Sequence, residues 1–317
     1  MRYALSLALI LLALSACDSG VEGGRLTITT LNLDRGAAAS AIAQGDGSAA
    51  QRLGTWYGSV RASDPASRAG RAALQLADVA PDVIALQEVL TVRSDYPSDW
   101  TPGSEPNAET VQFETLPPFL DSLRARGLAY TVAAEATTSD WERPAQIGAA
   151  TVDLRVQERV VLLVRDGLPV EDARVVPLAP REVAYEGAPV AFDAAAAVAQ
   201  IADVPIATFQ RSADDPGAAT ATASLLELLP ATAVLAAHVG DASASETVAG
   251  AETFTDAWEY LVGAPGPTCC ATDARGRDRR ADIIASRGDG LLFLDVRRLA
   301  PTVNASFRGV WADLWIQ

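Results

Sequence analysis

Along most of the chain, apolar positions recur with one of two periods, and the two periods take turns. From Arg25 to Leu33 the period is two. Leu26, Ile28 and Thr30 fall on one face and Thr27, Thr29 and Leu31 on the other, which predicts a strand. Asp64-Pro65 then supplies a helix cap and a proline at the first helical position. Ala69, Ala72, Ala73, Leu76 and Val79 keep helical spacing until Pro81 ends the run. Residues 83–86 are apolar throughout, the pattern of a strand buried on both faces. Residues 36–61 are rich in Ala and Gly with weak signals, and 91–115, rich in Pro, Ser, Asp and Glu, read as a long surface loop. Helices are predicted over 116–126, closed by Gly127, and 218–229, stopped by Pro230. Further strands are predicted around 130–134, 160–164, 197–201, 204–208, 233–239, 281–286 and 309–315. No internal repeat and no Pro/Gly linker divides this alternation, so the pattern specifies one α/β domain over 25–317.

The first residues predict a compartment. Met1-Arg2-Tyr3 is a short positive start, and Ala4 to Leu14 is an apolar run too short to span a bilayer. Leu14-Ser15-Ala16-Cys17 reads as a lipobox: small residues admit a peptidase before Cys17, and the thiol carries the lipid. The plainer alternative is an ordinary secretory peptide with a chance cysteine. The lipobox reading makes 1–16 a lipoprotein signal peptide and 17–24 a polar tether. It expects a protein exported and anchored to a bacterial cell-envelope membrane, with the lipid bilayer a partner through Cys17.

Charge narrows the partners. The formal net charge is −15, and the chain contains no lysine, so every basic residue is an arginine. Such a surface repels a phosphate backbone, which disfavours nucleic acid unless a local basic patch exists. A small phosphoester or a protein is the more acceptable partner. Besides Cys17 only Cys269 and Cys270 occur, which is no disulfide framework.

Three segments carry a resemblance. They are Thr29-Thr30-Leu31-Asn32-Leu33, Pro81-Asp82-Val83-Ile84-Ala85-Leu86-Gln87-Glu88-Val89, and Pro265-Gly266-Pro267-Thr268-Cys269-Cys270 followed by Arg280-Ala281-Asp282-Ile283-Ile284. Softer matches lie at 127–130, 158–162 and 256–258. In this order the segments resemble the endonuclease/exonuclease/phosphatase (deoxyribonuclease I-like) superfamily. The resemblance implies two packed mixed β-sheets flanked by helices, a four-layer α/β/β/α sandwich. It also implies metal-dependent phosphoester hydrolysis, with Mg²⁺ or another divalent cation held by Glu88 and with Asn32 and Asp282 at the same site.

The sequence departs from that pattern where the chemistry is made. Hydrolysis at neutral pH takes a charge-neutralising metal, a base or oriented water, and donors for the developing charge. The superfamily uses two histidines for stabilisation and protonation, one of them oriented by the aspartate that Asp282 matches; this chain has one His in all, which leaves Asp282 with no histidine to orient. Thr208-Phe209-Gln210 stands where Thr-His-Leu is expected, and Ala237-His238-Val239-Gly240 where Gly-Asp-x-Asn is expected. Ala305-Ser306-Phe307-Arg308-Gly309-Val310 replaces Ser-Asp-His-Ala-Gly-Val, leaving Arg308 as a candidate phosphate ligand. A shifted alignment makes Gly240-Asp241 the missing pair, with Ser243 in place of the Asn. Plainer roles stand beside each of these: Asn32 as a turn cap, His238 as a packed residue, Asp282 as a partner of Arg279 or Arg280.

The leading expectation is therefore a lipoprotein with this fold that has lost or weakened hydrolysis, holds a divalent cation loosely or not at all, and acts by binding. The rival is an active metal-dependent phosphodiesterase or phosphatase with a site rebuilt from Glu88, Asp241, His238 and Asp282. A third expectation is a structural envelope lipoprotein.

Overall fold

The computed structural model describes residues 24–37, 40–44, 46–185, 188–211, 217–239, 253–263, 266, 268, 281–299 and 309–317. Two β-sheets lie face to face. In the first, β1 (Arg25–Asn32) runs parallel to β2 (Val83–Asp95). β5 (Ala150–Arg165) and β4 (Tyr130–Ile147) extend the sheet beyond β2. β15 (Val310–Ile316) and β14 (Leu291–Arg298) extend it beyond β1. β3 (Thr110–Glu114) pairs with the far half of β2.

In the second sheet the order is β12 (Thr255–Asp256), β13 (Asp282–Arg287), β11 (Ala233–His238), β10 (Val204–Thr208), β9 (Ala195–Ile201) and β6 (Val170–Pro177). β7 (Arg181–Tyr185) and β8 (Ala188–Phe192) form a separate ribbon.

Period-two alternation builds the layers. Leu26 and Ile28 of β1, Val83 and Ala85 of β2, and Val160 and Leu162 of β5 face the second sheet. There they meet Ala197 and Ala199 of β9, Ile206 of β10 and Val234 and Ala236 of β11. The intervening residues Leu31, Ile84, Leu86, Val161 and Leu163 face outward. They are covered by α3 (Pro65–Leu74) and α4 (Leu116–Arg124). On the opposite outer face, α5 (Ala218–Leu228) lays Leu225 and Leu226 over Ala207, Leu235 and Ile283. The result is the four-layer α/β/β/α sandwich. Among the described residues, no helix is long and apolar enough to cross a membrane.

Three expectations change. Residues 91–115 are not one loop: β2 continues through Asp95, and β3 returns antiparallel to it. Cross-strand pairing to β5 as well as β3 overrides the polar composition there. The weak stretch 36–61 holds two helices, α1 (Ser40–Ala43) and α2 (Ala49–Ala62). α2 starts at a capping box in which Ser48 and Gln51 satisfy each other's backbone N–H. Its glycines hide a buried stripe of Leu53, Trp56, Tyr57 and Val60. The apolar runs at 130–134 and 160–164 are only the ends of a long hairpin, β4 and β5, joined by a turn at Gly148. A short helix, α6 (Ala257–Leu261), follows β12 directly.

Candidate functional site

The carboxyl end of β1 and the middle of β2 in one sheet meet the carboxyl ends of β10 and β11 in the other, and side chains stitch them together. Gln87 donates to Thr208 Oγ1 across the sheets at 2.9 Å and to Thr30 Oγ1 at 3.1 Å. Immediately beyond, β2 carries a bulge: Leu86 pairs with Val161 and Val89 with Arg159, so Gln87 and Glu88 together oppose a single partner residue. Glu88 adopts φ 53°, a left-handed conformation that costs a non-glycine residue on the order of 1 kcal/mol. The bulge lets two consecutive polar side chains face the junction where strict alternation would turn one of them away.

Glu88 is buried, and both its oxygens are engaged. Oε2 accepts the Arg35 backbone N–H at 2.7 Å, and Oε1 accepts Gln210 Nε2 at 3.0 Å. The Arg35 guanidinium lies 3.3 Å from Oε1. The same guanidinium meets Glu158 of β5 through Nε at 2.7 Å and Nη2 at 2.9 Å. Asn32 ends β1 beside this pair, its Oδ1 accepting the Asp34 N–H at 2.7 Å and so fixing the turn that carries Arg35 inward. Asp193, fully buried, adds a third carboxylate, with Arg181 Nε 3.6 Å away. Arg211 is buried too and donates to the Ala179 carbonyl at 2.8 Å.

One guanidinium between two carboxylates cannot serve both equally, and their acidities separate. Burial works to raise the Glu88 carboxyl, but Arg35, His238, the Arg35 N–H and the Asn32 amide outweigh it and hold it below the ordinary carboxylate range. For Glu158, burial prevails over Arg35, and the charges of Glu88 and Asp193 add to it, so the group is pushed up to about 7.

His238, at the end of β11, is 5% exposed. Its Nδ1 lies 2.9 Å from Asp282 Oδ1 on the neighbouring strand, where the two residues are direct cross-strand partners. Burial opposes protonation of the ring, yet the charge and hydrogen bond of Asp282, with Glu88 and Asp193 behind it, raise its pKa above the ordinary value. Asp282 is itself positioned by Thr268, whose Oγ1 accepts the Ala281 and Asp282 N–H groups.

The structure thus gathers Asn32, Glu88, His238 and Asp282 at one strand-end junction. It corrects one expectation: Asp282 has a histidine to orient, because β11 and β13 are antiparallel neighbours in register. A second concerns Phe209. It does not face the junction but is fully buried in the outer core under α5, while Thr208 and Gln210, one position to either side, reach Gln87 and Glu88. Asp241, Ser243, Arg308, Cys17 and Cys269-Cys270 lie outside the described residues. Sequence reasoning missed Arg35, Glu158 and Gln210. Glu158 left a trace: it is the one charged residue in the alternate series Val156, Glu158, Val160, Leu162 and Val164.

A divalent cation on Glu88 does not fit this arrangement. Its ligand oxygens are already used, and a cation there would sit against the guanidinium. A separate acidic group lies further along the β4–β5 hairpin. Asp99, Glu142 and Asp153 bring one ligand oxygen each within 4.8 Å of one another, so that group could hold a metal ion. Glu142 and Asp153 there accept backbone N–H groups of Asn107, Ala108, Asp99 and Trp100, which pins the segment between β2 and β3.

Neither a family model nor a curated protein matches the sequence of the chain. Solved structures do match its fold. An endonuclease/exonuclease/phosphatase from Beutenbergia cavernae aligns over 92% of this chain and 72% of its own, at 18% identity and TM-score 0.55. One from Bacteroides vulgatus aligns over 92% and 99%, at 14% identity and TM-score 0.54. An endonuclease/exonuclease/phosphatase family protein from Leptotrichia buccalis aligns over 91% and 99%, at 12% identity and TM-score 0.54. Layer order, the paired strand-end junction and these similarities together identify the endonuclease/exonuclease/phosphatase (deoxyribonuclease I-like) fold.

Proposed function

We propose that this chain is an exported lipoprotein of the endonuclease/exonuclease/phosphatase fold that has lost phosphoester hydrolysis, or nearly so, and acts by binding. The observation that carries this reading is the Arg35 guanidinium lodged between Glu88 and Glu158. Hydrolysis in this fold would need Glu88 free to take a metal and a second histidine to complete the acid–base pair; the first is engaged, and the sequence holds one His. Loss of one preorganised donor costs on the order of 100- to 1000-fold in rate, and loss of general acid–base help roughly 100- to 10,000-fold. Either suffices to remove visible turnover.

Tethering through Cys17 gives the molecule an orientation. Arg25 opens β1 and Asn32 closes it, so the tether would enter about 23 Å from the strand-end junction, at the opposite end of the sheet. The junction would then face away from the membrane, toward a small phosphoester or a protein partner in the aqueous space. Cys17→Ser should move the protein from the membrane to the soluble fraction; identical fractionation of both forms would remove the anchor.

The test of lost hydrolysis is a phosphodiester and phosphomonoester panel with Mg²⁺, Mn²⁺ and Ca²⁺, run on the native chain beside Glu88→Gln. Background rates in both support the reading. Robust turnover abolished by the substitution would overturn it in favour of a rebuilt hydrolase, a second reading that the buried His238–Asp282 pair favours.

A further inference from the structure

The disagreement between Glu88 and a metal has a structural cause. Two carboxylates from neighbouring strands, Glu88 at the β2 bulge and Glu158 of β5, converge on a point that is buried from solvent. Such a pair cannot remain ionised without a cation between them. The cation present is covalent: Arg35 reaches Glu158 at 2.7 and 2.9 Å and Glu88 at 3.3 Å.

We propose that the Arg35 guanidinium occupies the seat of a cation between Glu88 and Glu158, so that the site carries its counter-charge as part of the polypeptide. The inference deepens the loss-of-hydrolysis reading and rests on it. Three features make the seat a built one. The turn after β1 is fixed by the Asn32 side chain accepting the Asp34 N–H, and by the Asp34 side chain accepting the Gly36 N–H at 2.8 Å. The Arg35 backbone N–H then donates to the very carboxylate that its side chain neutralises. Gln210, from the second sheet, both donates to Glu88 Oε1 and accepts the Glu88 N–H at 3.2 Å, which locks the strained bulge facing the guanidinium. A guanidinium satisfies carboxylates at fixed angles and cannot be diluted away, whereas a bound Mg²⁺ exchanges and keeps water for chemistry. A counter-charge survives the exchange, reduced from +2 to +1, and exchangeable metal-bound water does not.

The seat should therefore reopen when the side chain is shortened. The experiment counts bound Mn²⁺ by electron paramagnetic resonance and follows thermal unfolding with and without Mn²⁺, on native protein, Arg35→Ala, Arg35→Lys and Arg35→Ala/Glu88→Gln. Counts are read as differences from native, because the acidic group at Asp99 is a separate candidate. Arg35→Ala should bind about one Mn²⁺ more than native, matching one vacated seat. Its unfolding midpoint should rise with Mn²⁺, since a ligand of the folded state alone stabilises it. Arg35→Lys, which keeps a cation, should count as native, and the double variant should lose the added ion. Should Arg35→Ala be unfolded without metal, Mn²⁺ should restore it; failure to do so while Arg35→Lys folds would overturn the inference. So would a folded Arg35→Ala that binds no more Mn²⁺ than native, and that result would leave the loss of hydrolysis untouched. Turnover by the native chain would sink the loss-of-hydrolysis reading without altering the Mn²⁺ count.

Discussion

Removing one negative charge from the buried cluster should make the protein more stable, provided the right carboxylate is removed. Glu158 is pushed up to about 7 by burial and by the charges of Glu88 and Asp193, against the pull of Arg35. A carboxyl group held there rather than at its ordinary 4.5 binds its proton more tightly in the folded chain than in the unfolded one. Its contribution is therefore fully present below about pH 4.5 and is lost as pH rises toward 7. At about 1.4 kcal/mol per pH unit, holding Glu158 ionised costs about 3 kcal/mol at pH 8. Glu158→Gln mimics the protonated form and should recover most of that, or several degrees in melting midpoint at about 2–4 °C per kcal/mol for a domain of this size.

Glu88 behaves oppositely. Its ionised form is the favoured one. Glu88→Gln should cost about 1–3 kcal/mol at neutral pH, the range for losing a charged hydrogen bond in a buried site, and the loss should shrink as the solution is made acid. Urea titrations of native, Glu158→Gln and Glu88→Gln at pH 5 and pH 8 read both. The reasoning fails if Glu158→Gln is no more stable than native at pH 8, or if its advantage does not grow between pH 5 and pH 8.

The pair at the end of β11 gives a second pH dependence. His238 has its pKa raised above 6.5, so its protonation stabilises the fold fully below that value and less as pH climbs through the raised one. Made in the Glu158→Gln background, which removes the overlapping titration, Asp282→Asn should flatten the stability-versus-pH curve above pH 6.5; an unchanged slope in that window refutes the pairing. Packing gives a third test within a single helix. A methyl on Gly54 would meet the Gln146 carbonyl oxygen of β4 at 2.0 Å, whereas one on Gly58 meets nothing within 4 Å. Gly54→Ala should lose about 1–3 kcal/mol to overpacking, less whatever helix propensity returns. Gly58→Ala should gain about 0.5–1 kcal/mol. Equal effects from the two substitutions would remove the close contact between α2 and β4.

The two-sheet core was readable because its signals are local and strong. The alternation in β1, the uniformly apolar 83–86 and the Asp64-Pro65 start of α3 all depend on neighbours in sequence, and each began where the pattern placed it, although α3 stops at Leu74, short of Pro81. The polar run 91–115 misled because half of its order comes from across the sheet: Thr91 to Asp95 pair with β5 on one side and, through Ser94, with β3 on the other. Composition reports solvation, and here a polar strand is held by ladder hydrogen bonds on both edges. α2 escaped for the converse reason. Alanines and glycines weaken its periodicity, yet one of those glycines is what lets the helix approach β4 closely enough to be buried.

The site was legible in its anchors and not in its balance. Asn32 stands at a strand end and Glu88 just past the apolar run 83–86, which a strand pattern locates, and Asp282 follows from its segment. What neutralises Glu88 follows from none of these, because Arg35 is set by a turn whose geometry lives in side-chain to backbone hydrogen bonds at Asn32 and Asp34. Glu158 lies on a strand whose register to β2 is shifted by the bulge, so no counting along either strand brings the two carboxylates together. The physical constraint runs the other way. A glutamate in a left-handed bulge, sealed from water, must have a cation, and the chain can keep that residue only by supplying one.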